Sequence, residues 1–135
     1  MAPAPINLDD LVPGYAFPLV RLSIDAERAA AYLRATEGDG APFETSNSVP
    51  PMALAALAMA AMGEAMALPA GTVHVSQEVT FHRPARIGEV LISRAMVTRR
   101  VNRGTINLMN VGINVADPSD LPVMTAETSF VLPAE

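Results

Sequence analysis

The chain has no cysteine and no lysine among its 135 residues, and it has two histidines. Without cysteine there can be no disulfide, thiolate nucleophile or zinc–thiolate site, a composition that suits a reducing compartment. With no lysine, all nine basic side chains are arginines, set against 14 acidic residues for a net charge of −5. No glycine-rich phosphate loop, Ser-His-Asp order or helical His-Glu-x-x-His motif is present. Neither histidine, His74 or His82, lies in or before the apolar helix-like segment that dominates the middle of the chain. The opening MAPAPINLDD lacks a basic region followed by an apolar run, so no secretory signal is expected and the expected location is the cytoplasm.

The chain does contain an almost charge-free stretch running from Ser48 to about Leu68, followed by alternating strand-like segments. Pro51–Ala70 is about the length of a bilayer span. It is mostly alanine and methionine, however, and it is interrupted by Gly63, Glu64 and Pro69 with no flanking basic residues or aromatics. A buried helix is therefore expected, with no membrane span. Ser48 can cap it, Pro50 and Pro51 suit its first turn, and Pro69 and Gly71 end it. A helix apolar on every side needs an enclosing layer.

The strands that follow are the expected wrapper. Thr72–His82 alternates, with Val73, Val75, Val79 and Phe81 on one side and His74, Ser76, Glu78, Thr80 and His82 on the other. Gly88–Val101 is expected to turn at Asn102-Arg103-Gly104 into Thr105–Ala116. That strand turns at Asp117-Pro118-Ser119-Asp120 into Val123–Leu132. Upstream, residues 1–14 read as a loop pinned by Leu8 and Leu11, and Tyr15–Leu22 as a strand broken at Pro18. Ile24–Glu37 reads as a surface helix capped by Ser23, stopped by Gly38 and striped by Ala26, Ala29, Ala30 and Leu33. The expectation is one α+β domain over residues 1–135, with an antiparallel sheet around a long apolar helix. Apolar residues on both faces of the middle strands imply a dimer or pseudo-dimer.

Six of the arginines (Arg83, Arg86, Arg94, Arg99, Arg100, Arg103) fall between positions 83 and 103, where Glu89 is the lone acid. A basic patch on an acidic protein suits a discrete anion, not nucleic acid; the alternative reading is a set of solvated strand faces. His74, Glu78 and His82 suggest a metal set. Residues four apart on a strand stand about 13 Å from each other, too far for one ion, so no metal is expected. Met52, Met59, Met62 and Met66 read either as a soft acyl-binding lining or as core filler. Glu64 turns to solvent, faces a partner interface or, as a third alternative, is buried and catalytic. The backbone N–H groups at the helix start can hold a carbonyl oxygen that gains charge, but Pro50 and Pro51 remove two donors and leave Met52 and Ala53. Gly38–Val49 is a long irregular stretch of the kind that carries function.

The segment TVHVSQEVTFHRPARIGEVLISRAMV, the hairpin after it and VMTAETSFVLP together resemble the hot-dog superfamily. The upstream SIDAERAAAYLRATEGD and the helix start PPMALAA narrow the resemblance to MaoC-like hydratases and dehydratases, in particular fatty-acid-synthase-type dehydratase-like domains, over Phe17–Pro133. The F-x-R-P-x-x-x-G-E turn is shared with acyl-CoA thioesterases. The resemblance implies an acyl thioester of coenzyme A or an acyl carrier protein as substrate, with no other cofactor. The substrate-binding candidates are then Met52 and Ala53 at the helix start, Met59 on the methionine lining, and Arg83 and Arg86 toward the phosphates of the carrier.

Active hydratases of that group carry an Asp and a His before the helix, in a pattern like G-D-x-N-P-x-H. This loop offers Asp39, Glu44, Ser46, Asn47 and Ser48 but no histidine. Similar thioesterases use His-Gly-Gly and an acid on the helix; here Pro50-Pro51-Met52 and Met59 occupy those positions. Three readings follow. The first is a substrate-binding subunit of a hydratase or dehydratase, paired with a catalytic hot-dog chain. The second is a self-sufficient homodimeric hydratase or thioesterase using Glu44, Asn47, Glu64 or His74. The third is a non-enzymatic acyl-CoA sensor or scaffold.

Overall fold

The computed structural model describes residues 8–35 and 49–133. Five strands form one antiparallel sheet: β1 (Val20–Leu22), β2 (Val73–Phe81), β3 (Leu91–Arg103), β4 (Ile106–Ala116) and β5 (Pro122–Val131). Their order in the sheet is β1-β3-β4-β5-β2. Among the described residues, two helices, α1 (Ala26–Ala35) and α2 (Pro51–Met66), lie between the first two strands in sequence. The chain thus leaves one edge of the sheet at β1, runs through α2, and returns at the opposite edge as β2. This is the expected α+β arrangement.

The N-terminal segment is held as the two leucines suggest. Leu11 is buried, and Arg100 on β3 donates to the carbonyls of Leu8 and Leu11 at 2.9 and 2.8 Å. A short 3-10 turn, Leu8–Asp10, occupies part of the stretch expected to be loop. Ala16 bridges to Met96, and regular pairing resumes after Pro18 at Val20. The cap of α1 is Asp25, not Ser23: its Oδ1 accepts the Arg28 N–H at 2.7 Å, a bond from cap to third helical residue. Ala29 is buried and Ala30 half-buried, as the stripe requires, but Ala26 is exposed.

Helix α2 ends at Ala67, which takes the left-handed conformation (φ 48°) just before Pro69. Ala53, Leu54, Ala55, Ala58, Met62 and Met66 are buried against the sheet. Met52, Ala56, Ala60, Gly63 and Glu64 are exposed, spaced as one stripe along the helix. The helix is therefore not enclosed on every side by its own chain, contrary to the expectation. A sheet of five strands covers one side of a helix and leaves the other open.

The β3–β4 hairpin turns at Gly104-Thr105, later than the expected Asn102–Gly104, with Arg103 opposite Ile106 and Gly104 at φ 59°. Glycine takes that conformation without strain, and two-residue turns with it match the sheet's twist. At the β4–β5 turn, Asp117 Oδ1 accepts the N–H groups of Ser119 and Leu121 at 2.9 and 3.1 Å.

The β2–β5 register shifts between His74 and Ser76. The bulge breaks the uniform alternation read from the sequence. Ser76, Glu78 and Thr80 pair with Ser129, Glu127 and Thr125 on the face away from the helix, whereas His74 pairs with Phe130 on the helix side. No described helix is long and apolar enough to cross a membrane.

Candidate functional site

The amino end of α2 is where the fold presents free backbone donors. Pro50 precedes the helix and Pro51 is its first residue, so neither position offers an N–H. The Ala53 N–H, expected to remain available, donates to the Pro50 carbonyl at 3.0 Å, and Leu54 N–H to the same oxygen at 3.2 Å. Met52 N–H is left as the one uncommitted donor of this first turn among the described residues, and the Met52 side chain is 58% exposed beside it. The expected pair of donors is thus reduced to one.

A cavity of about 280 Å³ adjoins this turn, bordered by Val49, Pro51 and Leu54 from the helix side and by Phe81, His82, Arg83, Pro84 and Ala85 from the end of β2. Val49 N–H donates to the Ala85 carbonyl at 2.7 Å, tying the helix start to the turn after β2. His82 borders this cavity, a placement that its distance in sequence from the helix conceals. Its ring is committed elsewhere: Nε2 lies 3.0 Å from Thr125 Oγ1, a residue on the face away from the helix.

Arg83 dominates the electrostatics here. Its two terminal nitrogens meet both carboxylate oxygens of Glu89, at 3.1 and 2.6 Å, and Nη2 also reaches Asp117 Oδ2 at 3.3 Å. Its Nη1 further donates to the Pro84 carbonyl at 2.9 Å. The bond from Arg83 holds the Glu89 carboxyl below its usual range, helped by the Arg86 N–H, which donates to Glu89 Oε1 at 3.1 Å. The N–H of Leu121 chiefly, and then Arg83, lower Asp117 in the same sense, and Glu89 raises the Arg83 guanidinium in return. Gly88, at φ 82°, lets the chain fold back so that Glu89 reaches Arg83. The Phe-x-Arg-Pro-x-x-x-Gly-Glu turn is therefore a clamp that closes the β2–β3 connection. A phosphate at Arg83 has to compete with two carboxylates. Arg86 is exposed, with no side-chain partner among the described residues.

The other sequence candidates scatter. Met59 is half-buried over the sheet, with Thr128 Oγ1 4.0 Å from its sulfur, while Met62 and Met66 are fully core. Of the four helix methionines, Met52 and Met59 alone remain partly accessible. Glu64 lies on the exposed stripe. His74 donates to the Ser76 carbonyl at 3.0 Å and packs on Phe130 with ring centres 5.4 Å apart. It sits at the start of β2, roughly 25 Å of strand away from the cavity at the strand's other end. Glu44 and Asn47 lie outside the described residues, as do Asp39, Ser46 and the expected cap Ser48. Among the described residues, no group of three or more His, Asp or Glu side chains is placed to hold a metal.

A larger hollow, about 650 Å³, lies on the opposite face of the sheet, over Gly112 and between Leu19, Met96 and Glu127. It is remote from the helix start and no part of the chemistry expected there.

Comparison with known proteins places this geometry. A family model described as "FAS1-like, dehydratase domain region" matches residues 12–126. No curated protein matches the sequence. Among solved structures, the MaoC-like dehydratase from Rhodospirillum rubrum aligns with a TM-score of 0.81 at 18% identity, over 96% of this chain and 98% of that one. The unliganded R-hydratase PhaJ1 from Pseudomonas aeruginosa aligns at 0.75 and 20%, over 94% and 85%. The C-terminally truncated HadBC (3R-hydroxyacyl-ACP dehydratase) complex from Mycobacterium tuberculosis aligns at 0.65 and 17%, over 89% and 96%. At these identities the likeness speaks for the hot-dog fold.

Proposed function

This chain belongs to the FAS1-like dehydratase family, and from that premise we propose that it is the substrate-holding, non-catalytic subunit of an enoyl-thioester hydratase or 3-hydroxyacyl dehydratase. The observation that carries the reading is the fate of its two histidines. His74 stands at the wrong end of β2, and the His82 ring turns to Thr125 on the other face. Water addition across an enoyl thioester needs a base positioned at the carbonyl end of the substrate. Among the described residues, His82 is the one histidine that borders the cavity at the α2 start, and its Nε2 is held by Thr125.

A partner chain supplies the missing pair in this reading. Two surfaces invite it: the small-residue stripe of α2, and the free edge of β2, where Val73, Val75 and Phe81 are exposed. The HadBC structure is likewise of a complex. Met52, Ala53 and Met59 then border the acyl thioester, and Arg86, which has no side-chain partner among the described residues, meets phosphate more readily than Arg83.

The test is the purified chain with crotonyl-CoA. Binding of the thioester without loss of its enoyl absorbance is expected. Activity appears on addition of a hot-dog chain bearing Asp and His before its helix. Turnover by the chain alone at an ordinary enzymatic rate overturns the reading. That result would favour a self-sufficient enzyme, for which the nearness of His82 to the α2 cavity is the supporting observation. Loss of the activity in His82→Ala would then identify the base.

A further inference from the structure

The face of the sheet away from α2 is electrically divided. Strand registers place Arg21 of β1 opposite Ile92, and Arg94, Arg99 and Arg103 of β3 opposite Asn114, Asn110 and Ile106. With the alternation of each strand, these four arginines share the outer face on one side of β4. On the other side, Glu127 of β5 pairs directly with Glu78 of β2. Arg94 is 56% exposed and stands 4.0 Å from the exposed Asp120. The division is accompanied by shape. Met96, 47% exposed, stands directly opposite Gly112, whose missing side chain forms the floor of the hollow of about 650 Å³. A projecting apolar side chain thus lies one strand away from a depression.

We propose that this outer face docks against the same face of a second copy of the chain, related by a twofold axis that runs along the strands between β3 and β4. That operation sets each Met96 over the other copy's Gly112 and turns the arginine side of one sheet onto the glutamate side of the other. The occupant follows from the charge pattern. An acidic macromolecule would suit the arginines but meet Glu78 and Glu127 as well, and a basic one the reverse. A copy of the same chain matches both halves at once, as a self-complementary interface requires. The surface leaves out the α2 stripe and shares only Glu78 with β2, so the inference stands independently of the proposed function.

The experiment is sedimentation velocity of the full chain and of charge-reversed variants, with circular dichroism to confirm folding. Arg94→Glu and Glu127→Arg each bring like charges toward one another across the interface, and each is expected to halve the mass of the assembly. The double variant restores the pairing and the mass. Glu78→Arg takes the place of Glu127→Arg if the latter fails to fold. Because the chain has no cysteine, Met96→Cys gives a second reading. Two facing sheets are about 10 Å apart, so a short bis-maleimide joins the two introduced thiols of a Met96→Cys pair, whereas Glu27→Cys on α1 stays uncoupled. Unchanged mass in the single reversals, a double variant no heavier than the singles, or equal cross-linking at both introduced thiol positions overturns the proposal.

Discussion

Thr98 on β3 and Glu127 on β5 are hydrogen-bonded to each other at 2.6 Å, reaching across the strand that lies between them. The contact passes over Gly112 of β4. A methyl group there would stand 3.1 Å from Thr98 Cγ2 and 3.4 Å from Glu127 Oε2. Gly112→Ala is therefore expected to push Thr98 from its rotamer and break the bond, lowering stability by about 1 kcal/mol. In a Thr98→Ala background the same substitution costs close to nothing, and urea denaturation of the four proteins checks it.

The Arg83 clamp sets an acid dependence. Glu89 and Asp117 both titrate below their ordinary values in the folded chain. Their stabilisation is fully present above the unfolded carboxylate range and is lost as pH falls through the depressed folded values. Between about pH 5 and pH 2, thermal melts of the natural chain should fall more steeply than those of Glu89→Gln. With Arg83 a third exposed, solvent discounts the pair, and Glu89→Gln costs about 1 kcal/mol at neutral pH.

Ser93 is fully buried, and its hydroxyl has no partner among the described residues. A buried hydroxyl without a hydrogen bond keeps its desolvation cost with no return. Ser93→Ala is expected to raise stability by about 1 kcal/mol, seen as a higher urea midpoint at unchanged slope. A destabilised variant would mean that the hydroxyl has a partner after all.

Met62 and Met52 lie ten positions apart on one helix and should behave oppositely. Met62 is fully buried, so Met62→Ala leaves a cavity and costs about 2 to 5 kcal/mol. Met52 is exposed, and Met52→Ala should leave the melting temperature nearly unchanged while weakening acyl-thioester binding. Calorimetric melts and binding isotherms on the two variants separate packing from ligand contact.

Capping of α1 gives a smaller effect. Asp25→Ala removes the bond to the Arg28 N–H and is expected to cost about 1 kcal/mol. Ser23→Ala should cost much less, and urea midpoints of the two variants check the difference.

Local rules carried much of the fold. Alternation, proline and glycine punctuation, and the apolar run from Pro51 located α2 and the four later strands to within a few residues, whereas the first strand, expected over Tyr15–Leu22, is confined to Val20–Leu22. Those signals act between near neighbours in the chain. The same rules erred where the deciding contact was distant or a choice between adjacent residues. Ser23 and Asp25 are both good caps, and the bond to Arg28 selected Asp25. The even alternation of Thr72–His82 hid a bulge that strand pairing with β5 introduces, and with it the separation of His74 from Glu78.

The site divides along the same line. The order of residues alone establishes that both histidines follow α2 and that the helix start lacks two donors, since these are facts of residue identity and position. Only the folded chain reveals that Ala53 has already given its N–H to Pro50. It also pairs Arg83 with Asp117, 34 positions further on, and lays one stripe of an evenly apolar helix bare. These outcomes depend on which surfaces meet in space, and a periodicity read along one strand or helix carries no information about what lies opposite it.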